Sequence, residues 1–151
     1  MERPTKIEYY LSLAAGVAAR STCLRRQYGA VIVKNDKIVS TGYNGAARKM
    51  PNCSDVGTCW REEHDIPHGE QYEKCQAVHA EANAITKIAC SNNSSKGATM
   101  YVTTSPCIEC AKLIIQAGIK RVIYSEKYRL EDGLDLLRRA NIEVVYINPN
   151  E

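Results

Sequence analysis

Three segments in the second half of the chain, ATMYVTT (98–104), RVIYS (121–125) and EVVYIN (143–148), alternate with helical patterns at 77–90, 107–117 and 130–140. A helix between two strands brings the chain back in the same direction, so this alternation predicts parallel neighbours in a sheet covered on both faces. Upstream, YGAVIVK (28–34) and KIVSTGY (37–43) flank Asn35-Asp36 and read as a hairpin. Ile7, Tyr10, Leu11, Ala14, Val17 and Ala18 recur at helical spacing within 6–20. The predicted order is α-β-β-α-β-α-β-α-β, in one α/β domain, because 151 residues bury one core and would be strained as two.

Hydrophobic residues are 44% of the chain and charged residues 25%, the balance of an ordinary globular protein. Phe is absent, so nine Tyr and Trp60 carry the aromatic roles. The net charge of +3 comes from 20 basic and 17 acidic residues without a long basic run, which disfavours a nucleic-acid surface and leaves room for a small anion. The longest apolar stretch, Leu11 to Ala19, is too short to span a bilayer and follows no basic signal region. A cytoplasmic protein without a membrane or nucleic-acid partner is expected.

In that compartment seven cysteines point to metal binding or catalysis rather than disulfides. Cys107 and Cys110, in TTSPCIEC (103–110), stand one helical turn apart where a strand passes into a helix. Ser105 suits the N-cap there and Pro106 the first helical position. Two sulfurs at i, i+3 converge on one ion, and a helix N-terminus favours their thiolates. His79, at the start of the preceding helix, adds an imidazole, and three protein ligands with one open position is the pattern of a catalytic zinc. Glu81, two residues on, is placed to move protons beside that position rather than to ligate. His79-Ala80-Glu81 followed by Pro106-Cys107-Ile108-Glu109-Cys110 reproduces the H-x-E and P-C-x-x-C signature of zinc nucleobase deaminases.

Cys23, Cys53, Cys59 and Cys75 remain, three of them bracketing a polar segment from Asn44 to about Lys74 that has no periodicity to order it. A second, closed zinc site would order it, with His64 or His68 able to replace one sulfur. Cys90 is left over on the helical segment 77–90, where a small buried hydrophobe is expected.

Across nearly its whole length, in RSTC (20–23), GYNG (42–45), HAEANAI (79–85), SPCIECAKLIIQAGIK (105–120) and YSEKY (124–128), the chain resembles the phage and bacterial deoxycytidylate (dCMP) deaminases of the zinc-dependent cytidine deaminase superfamily. The resemblance implies a three-layer α/β/α fold on a five-stranded mixed sheet, a homo-hexamer, and hydrolysis of dCMP to dUMP and ammonia, supplying dUMP for dTMP synthesis. It also implies activation by dCTP and inhibition by dTTP, with Mg2+ accompanying the triphosphate. Matched position by position, His79, Cys107 and Cys110 correspond to the zinc ligands and Glu81 to the proton shuttle. Asn44 corresponds to a deoxyribose contact and Tyr128 to a tyrosine at the base. Ser21 and Arg25 fall in the substrate-phosphate segment, with Arg20 and Arg26 as rivals, and Gly42, Tyr43 and Gly45 in a loop that lines the regulatory nucleotide site. The stretch of about 46–76, carrying Cys53, Cys59 and Cys75, resembles a metal-bearing insert whose fourth ligand is sometimes histidine.

Two further readings share part of this pattern. A tRNA adenosine deaminase carries both motifs but has to grip an RNA loop, and a non-catalytic zinc module would use the ions only to hold a surface.

Overall fold

The computed structural model describes residues 2–67, 75–128 and 130–148. The chain runs α1 (Lys6–Ala18), β1 (Gly29–Lys34), β2 (Lys37–Tyr43), β3 (Gly45–Ala46), α2 (Cys53–Val56), α3 (Trp60–Glu63), β4 (Ala77–Val78), α4 (Ala80–Ala89), β5 (Thr99–Val102), α5 (Ile108–Gln116), β6 (Arg121–Tyr124), α6 (Asp132–Arg139) and β7 (Glu143–Tyr146). Asn35 and Asp36 both take positive φ (53° and 58°), the conformation a two-residue hairpin turn needs, and join β1 to β2 as the sequence predicts.

Five strands form one mixed sheet in the order β2-β1-β5-β6-β7. The crossovers through α5 and α6 make β5, β6 and β7 parallel, whereas β1 pairs antiparallel with both β2 and β5. Strand alternation divides the core into two. Ala30 and Ile32, Met100 and Val102, and Val122 and Tyr124 meet Ala80, Ala84, Ile88, Ala111, Ile114 and Leu137 from α4, α5 and α6 on one face. Val31, Val33, Tyr101 and Ile123 meet Tyr10, Leu11 and Ala14 of α1 on the other. The result is the three-layer α/β/α arrangement expected, with one helix against three.

Close approach of α4 to β2 depends on Gly42: a Cβ there would lie 2.4 Å from the Ala80 carbonyl oxygen and 2.5 Å from the Ala84 nitrogen. Ser40, one turn of the pleat away, donates its hydroxyl to the Ala84 carbonyl at 2.7 Å. The start of α4 is thereby fixed relative to the sheet. On the opposite face the Tyr10 hydroxyl donates to Asp36 Oδ1 while Lys6 Nζ reaches Oδ2 at 2.9 Å, fastening α1 to the hairpin turn.

The bond to Asp36, with burial adding to it, pushes the Tyr10 phenol up to about 12. A raised pKa means that the folded chain holds this proton more tightly than the unfolded one. The contribution is therefore complete below the ordinary phenol value of about 10 and is lost as pH rises from there toward 12. Thermal unfolding should show Tyr10→Phe melting below the parent at pH 8, with the gap closing toward pH 12; a gap independent of pH would contradict the pairing.

Candidate metal centre and its cavity

Two helices begin at the same place. His79 is the N-cap of α4 (φ −66°, ψ 155°) and Cys107 the N-cap of α5 (φ −72°, ψ 170°), both in extended backbone. Neither side chain caps its own helix, so the ring and the thiol turn toward each other. Cys110 comes one turn into α5 and is buried, and Glu81 lies in the first turn of α4, also buried. The Nδ1 atom of His79 stands 3.3 Å from Cys110 Sγ and 3.5 Å from Cys107 Sγ.

His79, Cys107 and Cys110 form the group, among the described residues, whose donor atoms all lie within 4.8 Å of one another. Zinc with bonds of about 2.0–2.1 Å to nitrogen and about 2.3 Å to sulfur sets a tetrahedral N···S edge of about 3.6 Å, so the observed separations fit. One imidazole and two thiolates are also the donors zinc favours over harder cations.

The electrostatics of the donor group agree. A hydrogen bond from Cys110, reinforced by His79, holds the Cys107 thiol well below the ordinary cysteine range, and the same bond keeps Cys110 protonated. The Cys107 bond raises His79, against the effect of burial. Burial pushes the Glu81 carboxyl up, with the neighbouring His79 charge pulling the other way. One thiolate here is stabilised by protons on its neighbours, which a divalent cation would replace.

A cavity of about 600 Å3 opens beside these groups and takes in Glu81, Asn44, Tyr128 and Arg25 together with the metal-ligand group. Arg26 and the buried Arg61 also line it; Arg20 does not, and instead lies over the Tyr43 ring at 5.7 Å. Asn44 is largely committed to the protein. Its Nδ2 donates to the Arg26 carbonyl and its Oδ1 accepts from the Tyr28 N–H, each at 2.8 Å, leaving one N–H and one lone pair for a ligand. Ser21 lies outside the lining and donates its hydroxyl to the Asn44 carbonyl. The carbonyl of Tyr43 accepts from Asn83 Nδ2 at 2.7 Å, and Gly45 pairs with Val78 across β3 and β4, so the GYNG segment is tied to the residue preceding His79.

Ser105 does not cap α5. The helix starts two residues later at Cys107, with Pro106 just before it, because the buried Ser105 hydroxyl accepts from the Tyr128 N–H at 2.6 Å and holds the 125–128 loop instead. Cys90 is likewise not buried: α4 ends at Ala89 and Cys90 becomes its exposed C-cap.

Cys23, Cys53, Cys59 and Cys75 form no disulfide among the described residues. Burial raises the Cys53 thiol, and the neighbouring Cys23, Cys75 and Cys59 raise it further, but the four sulfurs do not gather within 4.8 Å of one another as the His79 group does. The Ser54 N–H donates to the Thr22 carbonyl and the Thr22 hydroxyl to Asn52 Oδ1, joining the segments that carry Cys23 and Cys53. His64 stacks on Trp60 with Nδ1 2.8 Å from the Trp60 carbonyl, and His68 lies outside the described residues. Sequence reasoning passed over Arg61, an arginine in a polar segment, because nothing in WREE signals that one of its charges is buried.

Residues 4–126 match the family model described as the cytidine and deoxycytidylate deaminase zinc-binding region. The chain is 42% identical over 132 residues to the deoxycytidylate deaminase of Mycobacterium phage D29, covering 84% of this chain and 99% of that one. It is 36% identical over 143 residues to the Saccharomyces cerevisiae deoxycytidylate deaminase, where it spans 94% of itself but 45% of the yeast protein. The crystal structure of dCMP deaminase from cyanophage S-TIM5 in complex with dCMP and dUMP superposes with a TM-score of 0.79 at 33% identity, over 97% of this chain and all of the other. On the match to residues 4–126 and the likeness to these relatives, the chain belongs to the cytidine and deoxycytidylate deaminase family.

Proposed function

We propose that the protein hydrolyses dCMP to dUMP and ammonia, thereby feeding dTMP synthesis. The observation that carries this reading is the buried Glu81 carboxyl beside the His79–Cys107–Cys110 donor group, in a cavity that also holds arginines. The D29 relative, matched over 99% of its length, supports the choice of nucleotide.

His79, Cys107 and Cys110 would hold the zinc ion. Zinc bound there would supply the positive charge that makes water acidic near neutral pH. Glu81 takes a proton from the attacking water and returns protons to N3 and to the departing amino group of the cytosine. Burial raises its carboxyl above the ordinary carboxylate value. Tyr128, held by Ser105, packs at the base, and the free N–H and lone pair of Asn44 meet the sugar. Arg25 and the buried Arg61 of α3 receive the 5′-phosphate, with Ser21 bracing the Arg25 loop through Asn44. In this reading residues 1–151 form a single deaminase domain.

The insert of about 46–76 orders around a second zinc on Cys23, Cys53, Cys59 and Cys75, a reading supported by the influence of Cys23, Cys59 and Cys75 on the Cys53 thiol. Tyr43, with the Arg20 and Lys87 cations 5.7 and 5.8 Å from its ring centre, and Gly45 contribute to a site for dCTP or dTTP with Mg2+. Gly42 serves that loop from behind, since α4 covers it. The working form is a homo-hexamer in the cytoplasm; among the described residues no helix is long and apolar enough to cross a membrane.

Incubation with dCMP should give dUMP and ammonia, stimulated by dCTP and suppressed by dTTP, while an RNA anticodon stem-loop is left intact; activity on the RNA alone would reverse the assignment. Glu81→Gln should keep its metal and lose at least about 10²-fold in kcat, and near-normal turnover would remove Glu81 from its role. Arg25→Gln should raise KM for dCMP about tenfold or more, the cost of one charge-assisted bond, without changing turnover of deoxycytidine. Elemental analysis should find two zinc ions per chain in the parent and one in a Cys23→Ser/Cys53→Ser variant; one in both would end the second-site proposal.

A further inference from the structure

Gly133, in the first turn of α6, lies outside every motif named above. Glycine costs a helix up to about 1 kcal/mol relative to alanine. Its backbone gives no reason for that cost, since the glycines with positive φ among the described residues are Gly57, Gly97 and Gly118. Space gives the reason. A Cβ on Gly133 would stand 2.2 Å from the Pro106 carbonyl oxygen and 2.9 Å from both the carbonyl carbon and oxygen of Cys107. All three obstructing atoms are backbone, so no side chain can swing aside.

The peptide in the way leads directly into a metal ligand. Pro106 fixes its own φ, and Cys107 follows as N-cap, so displacement of the Pro106 carbonyl is carried into the Cys107 backbone and its sulfur. Retreat on the other side is blocked, because the Ser105 N–H donates to the Glu126 carbonyl at 2.9 Å and the Ser105 hydroxyl accepts from Tyr128. The fit to a tetrahedral edge, 3.5 Å from Cys107 Sγ to His79 Nδ1, leaves no room for a shift of that size.

We propose that Gly133 is a positioning residue of the metal centre, a notch in α6 that lets the Pro106–Cys107 peptide seat the Cys107 sulfur at ligating distance from His79 and Cys110. The inference rests on the zinc reading of that group. Gly29 provides an internal comparison: a Cβ there meets the Ala14 carbonyl at the same 2.2 Å, but on α1, across the sheet from the site.

The test is 113Cd NMR and steady-state kinetics on the cadmium- and zinc-loaded parent, Gly133→Ala and Gly29→Ala. In the parent, cadmium at the two-sulfur site and cadmium at the proposed second site on Cys23, Cys53, Cys59 and Cys75 should give resonances at different shifts. Gly133→Ala should move or broaden the two-sulfur resonance alone and lower kcat by about 10²-fold, the cost of an ångström-scale misplacement, with KM little changed. Gly29→Ala should lower the melting temperature yet leave that resonance where it is in the parent. A Gly133→Ala protein with parental spectrum and kcat overturns the inference. So does a Gly133→Ala chain that fails to fold with metal while Gly29→Ala folds, which assigns the glycine to folding. A parent lacking any two-sulfur cadmium resonance overturns the zinc reading itself.

Discussion

The site depends on holding two helix N-termini, those of α4 and α5, close enough for donors from both to share one cation. Each N-terminus carries about half a positive charge, so bringing the two together is unfavourable without negative charge between them. The Cys107 thiolate supplies part of it, and Cys110, which keeps its proton, supplies none. Two thiolates and a divalent cation would satisfy both helix ends at once. Placement of Glu81 follows from the same geometry, since the first turn of α4 carries its carboxyl into the buried space beside that donor group.

The rest of the fold serves this convergence. Parallel order in β5 and β6 delivers α5 to the sheet face that α4 already occupies. Gly42 and Ser40 fix α4 against β2, while Asn83 and the β3–β4 pair tie the GYNG segment to the residue preceding His79. Ser105 and Gly133 brace the Pro106–Cys107 peptide from two sides. Most of these devices are backbone contacts or buried hydroxyls. Through them the backbone around His79 and Cys107 is set by direct contacts with the sheet and with α6.

How much was legible in the sequence follows from how each feature is encoded. β1, β5 and β6 are readable because they are buried along almost their whole length and so carry continuous apolar stretches, and the trio is readable because H-x-E and P-C-x-x-C occur together, each where a helix begins. The two-residue strands β3 and β4 and the four-residue helices α2 and α3 each span about one hydrophobic period, too little for a repeat to announce them. Ser105 looked like a cap because its local sequence suits one; a loop some twenty residues away competes for the same hydroxyl and wins. Cys90 was expected inside because cysteine usually is, but α4 stops one residue before it. The burial of Arg61 and the tight seat of Gly133 arise from long-range packing, which spacing along one chain does not record.

The central claim is that this cavity adds solvent oxygen to a cytosine nucleotide at the point where the amino group leaves. Mass spectrometry of the product formed from dCMP in 18O-labelled water tests it most directly. The account predicts dUMP carrying one labelled oxygen, located in the base, with release of one equivalent of ammonia. Unlabelled dUMP, or no conversion by the fully zinc-loaded protein in the presence of dCTP, would contradict it.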